Sequence, residues 1–208
     1  VGTAGTNKPK RMYLTAFMDA RSGLFTGVYV TDNPSSQASL YALRKGIIQY
    51  GIPKNIYVDN GREFLTHDVG GLGHRAKKAT AEQLEPPPIF KRLGIKMTNA
   101  IVKNARAKTI ERRFLDVKNR LSRLFDSYTG GNVIEKPERL KNVLKGNIID
   151  EVEFTKIVED MLNYNFNYQA YNGPVQADKG LKRNEVYAKH LKEKRVANEE
   201  DLWLMMLR

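Results

Sequence analysis

Asp59 and Glu111 are the residues of this sequence best suited to metal-dependent chemistry on phosphate esters. Two divalent cations that activate a water or hydroxyl and stabilise a leaving oxygen need several oxygen ligands converging from different elements. Asp59 follows residues 55–58 (NIYV), which read as a short buried strand, and Asn60-Gly61 after it leaves room for close backbone approach. Glu111 lies one position past the apolar stripe of an amphipathic helix. A carboxylate at the end of a sheet strand can meet one projecting from a helix packed on that sheet. Along the helix edge of Glu111, Lys108, Leu115 and Lys118 stack at i−3, i+4 and i+7. A lone acid between cations suits a metal-bound phosphodiester. The same spacing equally suits an ordinary surface glutamate paired with Lys108 or Arg112, worth a few tenths of a kcal/mol.

Composition narrows the partners. The 208 residues carry 35 Lys and Arg against 23 Asp and Glu, a formal charge of +12, which points to a polyanion and first of all to nucleic acid. The excess is concentrated: Lys103, Arg106, Lys108, Arg112, Arg113, Lys118, Arg120 and Arg123 fall between residues 101 and 125, opposed there by Glu111 and Asp116 alone. The absence of cysteine removes disulfides, thiolate metal sites and cysteine nucleophiles together. His67, His74 and His190 are too scattered for a histidine-rich metal cluster. Residues 1–10 hold no secretory core and no apolar run reaches membrane-spanning length, so a soluble, cytoplasmic protein is expected.

The elements that must position these residues follow from periodicity. Residues 12–18 (MYLTAFM) and 24–31 (LFTGVYVT) read as strands joined by a turn at residues 19–23 (DARSG), where Asp19 caps and Gly23 supplies positive φ. Pro34-Ser35-Ser36 opens a helix whose stripe is Leu40, Leu43, Ile47 and Ile48 and which stops near Gly51. After the 55–58 strand, residues 64–88 are irregular, with a short helix around 81–84 stopped by three prolines. Residues 95–98 give another strand. The helix carrying Glu111 has its stripe at Ile110, Phe114, Val117, Leu121 and Leu124. A polar connector over 126–150, a helix over 152–168 and a basic helical tail over 184–195 complete the order, and Trp203 with Leu202 and Leu204 opens a further element. Hairpin, helix, then strand is the start of an α/β sheet.

Two segments carry a resemblance. Residues 57–64 (YVDNGREF) resemble the DNG-x-x-F segment of retroviral-type integrase cores. Residues 104–114 (NARAKTIERRF) resemble the A-K-P-x-E-R-x-F segment of phage Mu A-type transposases, with Thr109 in the place of proline. The 51 residues between Asp59 and Glu111 are closer to the Mu type than to the retroviral spacing. Tyr164-Asn165, then Tyr171 to Pro174, Gly180-Leu181 and Glu185-Val186-Tyr187, are similar to the YN-x-x-x-H-x-G-L … P-x-E-V close of the same family, with its His and Pro replaced.

The resemblance implies an RNase H-like mixed sheet flanked by helices with a helical C-terminal extension. It divides the chain into a core over 1–125, the connector over 126–150, a helical part of the core over 151–195 and the start of a following domain over 196–208. It implies a DDE-type polynucleotidyl transferase in which Asp59 and Glu111 hold two Mg²⁺ (or Mn²⁺) ions, acting as a homo-oligomer on double-stranded DNA, both element ends and target. The first catalytic Asp of the family lies one strand before the hairpin, so it is expected upstream of Val1, and Asp19 matches a turn position instead. Asn60, Arg62, Lys108, Arg112 and Lys118 are the candidates for contacting DNA beside the metals. Tyr164, Phe166, Tyr168 and Tyr171 suit base stacking or, at helical spacing, core packing. The alternatives are a related RNase H-like nuclease that cuts without joining and a catalytically inactive DNA-binding or assembly module.

Overall fold

The computed structural model describes residues 1–2, 8–58, 89–99, 107–121, 125 and 148–207. Strands β1 (Tyr13–Met18) and β2 (Phe25–Thr31) form an antiparallel hairpin in which Tyr13 faces Thr31 and Phe17 faces Gly27, with an irregularity between Phe17 and Met18. The turn is built as its chemistry requires. The Asp19 carboxylate accepts from both the backbone N–H and the hydroxyl of Ser22 at 2.7 Å, and Gly23 takes φ 71°.

Helix α1 (Ser36–Tyr50) starts at Ser35, whose hydroxyl accepts from the Ala38 N–H, and stops at Gly51 with φ 93°. It leads to β3 (Asn55–Val58), which pairs in parallel with β4 (Lys96–Asn99); the one-turn α2 (Ile89–Arg92) precedes β4. Helix α3 (Ala107–Arg120) and helix α4 (Glu151–Asp160) follow, the latter capped by Asp150. The helix expected over 152–168 keeps its direction but changes pitch, becoming a π turn over Met161–Asn165 and a 3₁₀ turn over Phe166–Tyr168. Helices α5 (Arg183–His190) and α6 (Glu199–Leu204) close the chain, so the expected basic helix over 184–195 ends at His190 and continues without helical structure. The connector over 126–147 and the short helix around 81–84 lie outside the described residues.

The result is a mixed α/β fold in layers. Alternation along the hairpin sends Val28 and Val30 of β2, with Leu14, Ala16 and Met18 of β1, into one apolar cluster with Val117 and Leu121 of α3, Val158 of α4, and Leu162 and Phe166 beyond it. The other face of β2 meets α1. A second cluster joins Leu40, Leu43 and Ile47 of α1 to Ile56 and Val58 of β3, Ile89 and Phe90 of α2, and Met205; Phe17 of β1 packs against it. Among the described residues the strands hydrogen-bond as two ladders, β1–β2 and β3–β4, and α1 packs on both.

Residues 191–207 are tied into this body. Ile52 donates to the Arg195 carbonyl at 2.8 Å, the Arg195 guanidinium donates to the Leu93 carbonyl, Arg44 donates to the Leu202 carbonyl at 2.9 Å, and Met205 is fully buried. Trp203 stays mostly exposed.

The α1–β2 contact has no slack. A Cβ on Gly27 would stand 2.0 Å from the Ala42 carbonyl oxygen and 3.1 Å from the Gly46 nitrogen. Gly27→Ala must therefore push α1 off the strand, and a loss of about 3 kcal/mol is expected in denaturant unfolding. An unchanged midpoint would show that the helix is not seated at this distance.

Candidate functional site

Strands β3 and β4 end in register, Val58 opposite Asn99. Ile56 and Val58 turn inward and Tyr57 outward, which explains why so short a strand is held firmly. Asp59 is the next residue of the chain after β3. Asp59, Asn60 and Arg62 themselves lie outside the described residues, as do Lys103, Arg106, Arg123, His67 and His74.

Glu111, Lys108, Arg112 and Lys118 all belong to α3. Of these four, the described side chain is that of Arg112, which is exposed. Leu115, one turn after Glu111 on α3, is 53 % exposed. Arg120 lies at the far end of the helix, 3.8 Å from Asp116. Among the described residues no three His, Asp or Glu side chains gather as a metal site.

The buried face of α3 is Arg113 and Val117, continued by Leu121 just past its end, with Phe114 half-buried at its flank. The apolar pattern gave no signal for Arg113, because a basic residue in a cationic helix reads as surface. Its guanidinium lies over Gly23 in the hairpin turn, where a Cβ would be 3.1 Å from Nη2, and it donates to the Asn172 side-chain carbonyl. Asp116, one turn on, is 3.6 Å away. Burial, more than any neighbour, pulls the Arg113 guanidinium below its usual pKa.

Two further charged side chains are buried, Asp178 and Arg183. Arg183 is fully buried and donates to the Phe166 carbonyl at 2.8 Å; burial, helped by the like charge of Arg113, brings its guanidinium down to about 10. Asp178 is equally buried. It accepts from Arg21 of the hairpin turn at 2.9 and 3.1 Å, from Lys189 at 3.1 Å and from His190 Nε2 at 2.9 Å. A carboxylate offers only acceptors, so His190 presents a protonated Nε2 here. These bonds tie the first turn of the chain to α5. The aromatic residues divide: Phe166 and Tyr171 are core, while Tyr164 and Tyr168 are exposed at 69 % and 50 %.

Comparison with known proteins agrees with the layered fold. Over 91 % of its length the chain is similar to a chain of the simian T-cell lymphotropic virus intasome solved in complex with PP2A regulatory subunit B56 gamma, at a TM-score of 0.52 and 17 % identity. It spans about half of that chain, 53 %. It also overlaps the catalytic core domain of BIV integrase over 86 % of its own length and 91 % of that chain, at a TM-score of 0.47 and 19 % identity. No family model matches the sequence, and no curated protein matches it. The fold is of the retroviral-integrase, RNase H-like type.

The Asp178 cluster gives a pH signature. The bond from His190, with those from Lys189 and Arg21, outweighs burial and holds the Asp178 carboxyl well below the usual carboxylate range. A depressed folded-state pKa adds stability that is present above the unfolded value, about 3.9, and is lost as pH falls below it. Asp178→Asn should therefore be less stable than the parent at pH 7, with the gap narrowing below about pH 4. Parallel melting curves from pH 7 down to pH 3 would contradict this.

Proposed function

We propose that this chain is the catalytic core of a DNA transposase or integrase, which cleaves DNA at element ends and joins the freed 3′-hydroxyl to target DNA. The observation that carries the reading is positional. In an integrase-type fold, the DNG segment directly follows β3 in the chain, and the AKTIERRF segment lies in α3. The Mu A-type resemblance of α3 supports end cleavage with strand transfer over simple hydrolysis.

Asp59 and Glu111 would hold Mg²⁺, for which hard carboxylate oxygens are the fitting donors. When bound, such ions supply nucleophile activation and leaving-group stabilisation for an in-line displacement at phosphorus. The protein's part is to fix the two carboxylates on rigid elements and to hold the DNA. Asn60, Arg62, Lys108, Arg112 and Lys118 would grip phosphates and sugars beside the reacting bond. By the resemblance a further carboxylate, one strand before the hairpin, completes the metal-holding set. Asp19 is already committed to Ser22 in the turn. Double-stranded DNA and a second copy of the protein are the partners proposed.

In the full-length protein, Asp59→Asn and Glu111→Gln should each abolish cleavage and strand transfer by several orders of magnitude while leaving DNA affinity near that of the parent. Asp19→Asn, which can still cap the turn, should stay active. Full activity in either acid variant would refute the assignment, and DNA binding with no chemistry in the unmutated protein would favour an assembly module.

Binding has its own test. Each phosphate neutralised lowers log K by about 0.9 per decade of salt, so Lys108→Ala with Lys118→Ala should flatten the salt slope by roughly two units. An unchanged slope would place the DNA elsewhere.

A further inference from the structure

Arg113 occupies a position that a bundle of apolar side chains would ordinarily take. It stands one turn before Val117 and two before Leu121 on the buried face of α3, yet it is a guanidinium, 8 % exposed. Burying a charge is costly unless its donors are used, and here they are used directionally. The guanidinium lies over the bare Cα of Gly23 and donates to Asn172, while Asp116 on its own helix stands 3.6 Å away. Apolar packing lets a helix roll by several degrees at little cost, whereas a planar fork with fixed donors resists rotation.

Gly23 completes the seat for a reason that can be traced along the chain. Asp19 accepts twice from Ser22, the turn then closes with the Gly23 N–H donating to the Asp19 carbonyl at 2.9 Å, and Gly23 reaches φ 71° with no Cβ to hold the guanidinium away. Successive helical residues are rotated by about 100°, so positions 111 and 113 stand roughly 200° apart around α3. A lock at 113 therefore sets the direction of 111 from behind.

We propose that Arg113 is a positioning residue, which fixes the rotation of α3 through Gly23 and Asn172 and so aims the Glu111 position at the metal ions. The inference rests on the reading of Glu111 as a metal-holding residue. Asn172 is exposed, so its loss breaks the lock without opening the core.

The test uses full-length protein, with Mn²⁺ affinity read by electron paramagnetic resonance, Mg²⁺ dependence of DNA cleavage, DNA affinity and thermal unfolding. Arg113→Met and Asn172→Ala should keep DNA affinity but weaken Mn²⁺ binding on the order of tenfold and raise the Mg²⁺ needed for half-maximal cleavage in step, the scale seen when residues supporting metal ligands are removed. Arg113→Lys, which keeps charge but not the fork, should fall between parent and Arg113→Met. If a folded Arg113→Met binds and uses metal as the parent does, the positioning role is refuted. Should Arg113→Met fail to fold, Asn172→Ala decides: a shift supports the lock and no shift overturns it. Glu111→Gln separates the two readings, because unchanged metal affinity and cleavage in that variant would sink the role of Glu111 itself, whatever Arg113 does.

Discussion

The seating of α1 against β2 at Gly27, Ala42 and Gly46 is the contact on which the other elements depend. It brings helix backbone onto strand backbone, which no residue with a side chain at Gly27 could allow. From that seat α1 presents Leu40, Leu43 and Ile47 to β3, α2 and Met205. The parallel pair β3–β4 is too short to stand alone and owes its place to this face. The end of β3, where Asp59 follows, is thus positioned by a glycine contact made in the hairpin.

On the opposite side of the hairpin the organisation is partly electrostatic. Val28, Val30 and Phe25 provide an apolar floor for α3, α4 and the π and 3₁₀ turns that follow α4. Around that floor three buried charges, Arg113, Arg183 and Asp178, are fastened by directed bonds to Asn172, the Phe166 carbonyl, Arg21, Lys189 and His190. Asn167 adds a further pin, exchanging bonds of 2.7 and 2.8 Å with the backbone of Phe25. Such bonds lose much when one partner is removed, because the remaining charge stays buried. They trade tolerance for a fixed orientation between the hairpin turn, α3 and the C-terminal helices.

Much of this was legible in the sequence, for physical reasons that differ by element. The hairpin, α1 and β3 follow from period and turn chemistry: DARSG can do little but turn, and Ser35 and Gly51 bracket a helix. Position 111 was legible as part of α3 because the apolar stripe is strong. Arg113, Arg183 and Asp178 were not, since a charged residue carries no sign of burial until its distant partners are known; Asp178 and Arg21 are 157 positions apart. The pitch change at Met161–Asn165 was equally hidden, and it is what separates exposed Tyr164 and Tyr168 from buried Phe166 and Tyr171. Likewise the burial of Met205 depends on α1, where Gln37 donates to the Met205 carbonyl and Arg44 to the Leu202 carbonyl.

In the proposed site an acid following β3 and an acid on α3 share metal. A crystal of the full-length protein soaked in Mn²⁺, with the anomalous signal measured, tests it most directly. A Mn²⁺ peak bonded to both Asp59 and Glu111 at about 2.0 to 2.2 Å is expected, the range for small hard cations on carboxylate oxygen. Ordered Asp59 and Glu111 side chains on opposite faces of the sheet, with Mn²⁺ bound elsewhere, would contradict it.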